Sequence, residues 1–205
     1  MTSGKQRLQP RKQPLQARAE LTRQRILNAA AHVFAEHGYA AGTTNRIAEQ
    51  ARVSIGSLYQ YYPNKDAILA ELVTRHLDAG AAAMSRRRNG ALPESLEAVI
   101  RLFVRASIEN HLEDPHLLRV MMEQPPLSAA LLERIARFHE ADVEYVQELF
   151  ERHPEVRVAD TPMAARVAVS AIEFIVHPLV AEPGPVDPTR LENELVAMLT
   201  RYLRG

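Results

Sequence analysis

His111, His116, His139 and His177 are the side chains best suited to acid–base or metal chemistry in this sequence. A metal centre on a helix needs ligands on one face, and His111 and His116 stand five apart with a proline between them, which is poor ligand spacing. No His-x-x-x-His pair, no catalytic pair of carboxylates and no nucleophile elbow occurs, and the few glycines form no phosphate-binding loop. Cysteine is absent, which removes disulfides and thiolate metal sites. The sequence therefore predicts no enzyme, no metal site and no cofactor. It leaves the histidines as hydrogen-bonding partners for a polar group on a ligand, or as ordinary packed side chains.

The residue types that do converge are those that read nucleic acid. In the segment Ser54-Ile-Gly-Ser-Leu-Tyr-Gln-Tyr-Tyr62, helical spacing turns Leu58 and Tyr62 inward and leaves Ile55, Gly56, Ser57, Gln60 and Tyr61 facing out. Gln60 can pair bidentately with adenine, Ile55 can touch a thymine methyl, and Ser57 can bond a base or a phosphate. Gly56 removes bulk and permits close approach. Tyr59 and Tyr61 offer hydroxyls to phosphates. Helix starts at Thr44 and Lys65 present free N–H groups and a positive dipole end, strengthened by the hydroxyl and the ammonium. Asn45 and Arg46, in the first turn after Thr44, join the candidate set. Each tyrosine, and Lys65, has an ordinary alternative as rim packing or a solvated charge.

These residues need elements to hold them. Ile26, Leu27, Ala30, Val33 and Phe34 form one helical face, with Gly38 where a C′ residue belongs. A short second helix capped by Thr43 or Thr44 buries Ile47, Ala48 and Ala51. A third starts at Ser54, where Val53 and Leu58 are spaced as a hydrophobic staple, and Pro63 ends it. Asn64 caps a fourth carrying Ile68, Leu69, Leu72 and Val73. The short link Ala51-Arg52-Val53 between two two-turn helices is a helix-turn-helix arrangement. Further helices are expected near 94–113, 115–123, 128–152, 161–180 and 188–204, separated by proline and glycine turns. Asp187-Pro188 and Thr161-Pro162 both read as an N-cap followed by an N1 proline. No strand alternation and no internal repeat occurs, so the expected fold class is all-α. The N-terminus lacks an apolar h-region, and no apolar run approaches the roughly 18 residues that span a bilayer, so a cytoplasmic location is expected.

The formal net charge of zero conceals an asymmetry. Residues 1–65 hold ten Lys/Arg against three acids, a net charge of +7, and the remainder carries −7. Such a division points to a polyanion-binding end. Half of those positives (Lys5, Arg7, Arg11, Lys12, Arg18) precede residue 19, in a polar segment expected to be disordered when free.

Thr43-Thr44-Asn45-Arg46-Ile47-Ala48-Glu49-Gln50-Ala51-Arg52-Val53 and Ser54 to Lys65, with Ile26-Leu27-x-Ala29-Ala30 and Phe34-x-x-x-Gly38-Tyr39 upstream, resemble the DNA-binding signature of the TetR family of bacterial repressors. The resemblance covers about residues 20 to 70. It implies an all-helical homodimer with a three-helix DNA-binding domain and a larger helical-bundle effector domain, and contacts to operator DNA from Thr44, Asn45, Ser57, Tyr59, Gln60, Tyr61 and Lys65. The family usually places Gly in the turn where this chain has Arg52. A left-handed Arg costs on the order of 1 kcal/mol, so strain or a different turn is expected there.

The expected organisation is a basic arm over 1–18, a DNA-binding domain over 19–66, and a ligand-binding and dimerisation domain over 67–205. Phe103, Met121, Met122, Phe138, Tyr145 and Phe174 are candidates to line a pocket for a small-molecule effector, since such side chains adapt to varied apolar ligands. The last two helices carry apolar faces (Val167, Ala168, Ala171, Ile172, Ile175; Leu191, Leu195, Met198, Leu199, Tyr202), and the first of them has small residues that permit close approach. The resemblance implies that this pair forms the dimer interface; the plain alternative is that both pack on their own core. The expectation is a regulator, a repressor released from its operator by an effector, with an architectural or activating DNA-binding protein lacking a ligand as the alternative.

Overall fold

The computed structural model describes residues 14–88, 90–112, 115–122, 127–182, 184 and 186–205. Among them the chain forms helices and no strands: α1 (Pro14–Ala41), α2 (Thr44–Gln50), α3 (Ile55–Tyr61), α4 (Lys65–Arg88), α5 (Leu96–Leu112), α6 (Pro115–Met122), α7 (Ala129–Arg152), α8 (Thr161–Ala181) and α9 (Pro188–Arg204).

Local chemistry sets most of these boundaries. Thr43 and Ser54 cap α2 and α3 by accepting from the N–H groups of Arg46 and Ser57. Asn64 Oδ1 accepts from Ala67 N at 2.8 Å at the start of α4. Gly38 takes φ +75° and breaks the helix where the sequence expects its end, but the helix resumes beyond this kink and runs to Ala41. Two further boundaries differ from the sequence expectation. The cap of α8 is Asp160, whose side chain accepts from Met163 N, so Thr161 already lies inside the helix. α1 starts at Pro14, so residues 14–18 of the expected arm are helical: proline suits a first helical turn, and Leu15-Gln-Ala-Arg-Ala-Glu are all good helix formers needing no apolar stripe. Residues 1–13, with Lys5, Arg7, Arg11 and Lys12, lie outside the described residues.

Two cores organise the molecule. The first joins Ile26, Leu27, Phe34, Ile47, Leu58, Ile68, Leu69 and Val73 from α1–α4, and takes in Leu117 and Val120 of α6 and Leu131 of α7. The second joins Leu96, Ile100, Val104, Ala164, Ala165, Ala168, Leu195, Leu199 and Leu203 from α5, α8 and α9, with Val143 and Phe150 of α7. Glu192, buried on α9, accepts from Arg101 and bidentately from Arg105 at 2.9 Å, fixing α9 on α5. The α8 helix is long and apolar enough, with a mean hydropathy of 1.5, to cross a membrane by composition. No unbroken apolar run of that length occurs in it, because Arg166, Ser170 and Glu173 interrupt the sequence. Here α8 packs against α5, α6, α7 and α9.

Candidate nucleic-acid interface and effector cavity

The helix-turn-helix is held by part-buried polar links as well as by its core. Leu58 is fully buried and Tyr62 nearly so, as their spacing predicts. Tyr62 Oη donates to Glu71 Oε2 at 2.7 Å, and Arg23 reaches Glu71 at 2.7 Å and the Tyr62 oxygen at 3.3 Å. Arg75 closes the set on Glu71 at 2.9 Å. These contacts lock α3 to α1 and α4. Burial and the bond to Glu71 push the Tyr62 phenol up to about 12. Burial also pushes the Glu71 carboxyl up, but the bonds from Arg23 and Tyr62 outweigh it and hold the group below its usual range.

The turn between α2 and α3 contains Arg52 at φ +54°, the left-handed residue expected there. Arg25 of α1 donates to the Ala51 and Arg52 carbonyls at 2.5 and 2.9 Å, satisfying the end of α2. Nothing in the local sequence signals Arg25, because its partners lie 26 and 27 residues away.

On the outer side, Asn45 and Arg46 of α2 and Ile55, Gly56, Tyr59 and Gln60 of α3 are exposed. Thr44 and Ser57 are half-buried, and Thr44 Oγ1 lies 3.1 Å from Tyr59 Oη, so the two hydroxyls form one polar edge across both helices. Arg46 lies 3.0 Å from His37 Nε2. Tyr61 is half-buried against the first core, less outward than its spacing implied. A Cβ added at Gly56 would meet nothing within 4 Å. The fold does not require glycine there, although glycine in a helix costs about 1 kcal/mol relative to alanine. Lys65 Nζ donates to the Tyr39 and Ala40 carbonyls at 2.7 and 3.1 Å and sits over the Tyr39 ring. Two of its three donors thus close the end of α1, and one is left over.

A second site lies between α4, α5, α6, α7 and α8. It is a mostly apolar cavity of about 180 Å³, and Phe103, Met121 and Phe138 line it. Tyr145 stands behind Phe103, ring centroids 6.0 Å apart, under the Arg88 guanidinium. Phe174 is corrected: it points away from the cavity and is 75% exposed on the outer face of α8. The Met122 and His116 side chains lie outside the described residues.

The polar groups of this cavity exceed those the sequence singled out. His111, His139 and His177 line it, together with His76, Asn110, Asp142 and Glu173. His139 Nδ1 lies 2.8 Å from Glu173 Oε2, and Arg88 reaches Asp142 at 3.0 Å. Burial pushes the Asp142 carboxyl up to about 6 against the pull of Arg88. Burial pushes the imidazoles of His111 and His177 down to about 4. The signal for Asp142 was present in the sequence: it stands between Phe138 and Val146, four residues from each, on the cavity-facing side of α7.

A helix-turn-helix with an outward polar row, joined to a helical bundle around a cavity, defines the class of helix-turn-helix regulators. Residues 26–72 match the bacterial regulatory proteins of the tetR family, and residues 95–203 match the tetracyclin repressor-like C-terminal domain. The chain belongs to the TetR family. It is 38% identical over 71 residues to the HTH-type transcriptional regulator HbdR of Aromatoleum sp. (strain CIB), a match covering 35% of this chain and 31% of that one. The match thus spans about a third of that relative's length. Over 180 residues it is 27% identical to the uncharacterized HTH-type transcriptional regulator YdgC of Bacillus subtilis (strain 168), covering 87% of this chain and 90% of that one. Its fold is shared with a tetR-family regulatory protein from Rhodococcus RHA1, at a TM-score of 0.73 and 23% identity, covering 89% of this chain and 96% of that one.

Proposed function

We propose that this protein is a cytoplasmic, sequence-specific transcriptional repressor that binds operator DNA as a homodimer and is released by a small-molecule effector. The observation that carries the reading is the exposed row Ile55, Gly56, Tyr59 and Gln60 on a helix whose inner face is fixed by Leu58 and Tyr62. α3 would enter the major groove, Gln60 and Ile55 reading base edges and Gly56 allowing the approach. Thr44, Asn45, Arg46, Ser57, Tyr59, Tyr61 and the spare donor of Lys65 would hold phosphates.

The cavity separates this reading from that of a ligand-free architectural or activating DNA-binding protein. Its walls reach the reading head by two elements. α4 carries Ile68, Leu69 and Val73 in the first core and His76, Gly80 and Met84 at the cavity. α6 places Leu117 and Val120 in that core and Met121 at the cavity. A ligand that favours one placement of these helices changes the separation of two reading heads, which must match successive major grooves about 34–36 Å apart.

The test is to sequence DNA fragments retained by the purified protein and repeat the selection with Gln60→Ala and Lys65→Met. Near-palindromic sites are expected. Gln60→Ala is expected to cost about 1–3 kcal/mol and relax one position in each half-site. Lys65→Met is expected to weaken all sites alike and lower the salt slope by about one per half-site. Retention without sequence preference, or an identical loss in both variants, overturns the assignment of α3 as the base-reading helix.

A further inference from the structure

Three imidazoles meet in the cavity, each from a different helix: His76 of α4, His111 of α5 and His177 of α8. The ring centroids are 5.1 Å apart for His76 and His111, and 4.3 Å for His111 and His177. One hydrogen bond sets the tautomer of the central ring. The Ser107 carbonyl only accepts, so its 2.5 Å contact with His111 Nδ1 places the proton on Nδ1 and leaves Nε2 as a lone-pair acceptor. Burial pushes both imidazoles down to about 4, so His111 and His177 are neutral at physiological pH, and among the described residues no carboxylate acts on either ring.

The charged groups of the same lining are already matched. Asp142 of α7 is held by Arg88, and Glu173 of α8 faces His139. Arg87 of α4 donates to the Ala83 carbonyl and stands 3.9 Å from Glu109. Among its described residues the cavity therefore has two desolvated bases without an anion, and no carboxylate without a partner.

We propose that the cavity takes a small, mostly apolar carboxylic acid whose carboxyl group docks at His111 and His177 and is bound together with one proton. The proposal rests on the reading of this cavity as the effector site. The carboxylate arrives from neutral solution with a proton taken from solvent, and that proton is shared between a carboxyl oxygen and an imidazole nitrogen; no other bond forms or breaks. The bound pair is neutral as a whole, whereas a carboxylate entering alone would be an uncompensated charge in an apolar site. An ammonium ligand would meet neutral, desolvated rings, with Asp142 already paired to Arg88 and Glu173 already bonded to His139. Phe103, Met121, Ile135, Phe138 and Ile172 supply the walls for the apolar part. A cavity of about 180 Å³ suits on the order of six to eight carbons, since ~150 Å³ takes benzene.

The test is calorimetry on the full-length, DNA-free protein with hexanoic and phenylacetic acids, each beside its matched alcohol and amine. It is run in phosphate and in Tris, whose ionisation enthalpies differ, between pH 6 and 8. The expected result is that at least one acid binds with uptake of close to one proton per chain, about tenfold more weakly for each unit of rising pH. His177→Phe and His111→Gln are expected to weaken that acid at least tenfold and abolish the proton uptake. Circular dichroism confirms the fold, and His177→Phe carries the test if His111→Gln does not fold. Binding of neither acid, acid binding without proton uptake, an alcohol or amine binding as tightly as its acid, or unchanged acid binding in His177→Phe overturns the proposal. Operator binding is measured separately. A protein that takes up the acid and a proton but retains no DNA sequence-specifically loses the repressor reading and keeps this one, and the converse result sinks this one alone.

Discussion

Arg52 shows what a single residue gives up to make the turn. Its backbone lies at φ +54°, where an L side chain crowds its own carbonyl, and Arg25 ties the strained segment down from α1. Arg52→Gly is expected to stabilise the protein by about 1 kcal/mol in denaturant unfolding. An unchanged or lowered midpoint would mean that the Arg52 side chain contributes as much as its backbone loses. The left-handed residue was legible through the resemblance, because the family usually places Gly at this point of the turn, which left strain or a different turn for Arg52. The Arg25 cap was not, since a long-range side-chain-to-backbone bond leaves no periodic trace. Lys65 was legible as a cation at a helix start; that two of its donors close the end of α1 depends on the kink at Gly38, which brings those carbonyls within reach.

At the scale of elements, acid should loosen the molecule in two windows. Glu71 is held below its usual range, so the stability it lends through Arg23 and Tyr62 is present above about pH 4.5 and is lost as pH falls through its lower folded value. His111 and His177 are pushed from 6.5 down to about 4 by burial. The unfolded chain thus binds protons that the folded one refuses, and stability declines from pH 6.5 towards 4. Thermal melting as a function of pH is expected to show both limbs. Glu71→Gln should flatten the lower one and His177→Phe the upper, and a Glu71→Gln curve parallel to wild type below pH 4.5 would remove the α1–α3–α4 lock from the account. Helix ends were readable wherever a cap side chain stood beside an apolar stripe, as at Thr43, Ser54 and Asp187. They were missed where propensity alone carried the helix, as over residues 14–18, or where two caps competed, as at Asp160 and Thr161.

Across the whole molecule, α8 and α9 present more apolar surface than one chain covers. Met163, Val167 and Phe174 form a stripe along α8 with 54, 43 and 75% exposure, and Met198 and Tyr202 on α9 are 43 and 41% exposed. The two helices share a groove lined by Ile175, Leu179, Leu195 and Met198. Phe174 was read as a pocket residue because aromatic type does not say which side of a helix faces the cavity. α8 has neighbours on several sides, and Glu173 and His177 take the cavity side while Phe174 takes the outside. Exposed apolar side chains clustered on two helices suit an interaction surface, and a second copy of the same pair would cover them with two-fold symmetry. Phe174→Glu places a charge at the most exposed point of that surface, away from both cores and from the cavity. The variant is expected to keep its helical content and its melting cooperativity but to run as a monomer in light scattering at micromolar concentration. Its affinity for a palindromic site should then fall towards that for a single half-site, because each reading head binds without its partner. A variant that stays dimeric, with undiminished operator affinity, would show that the copies meet elsewhere and that the α8–α9 face serves some other contact.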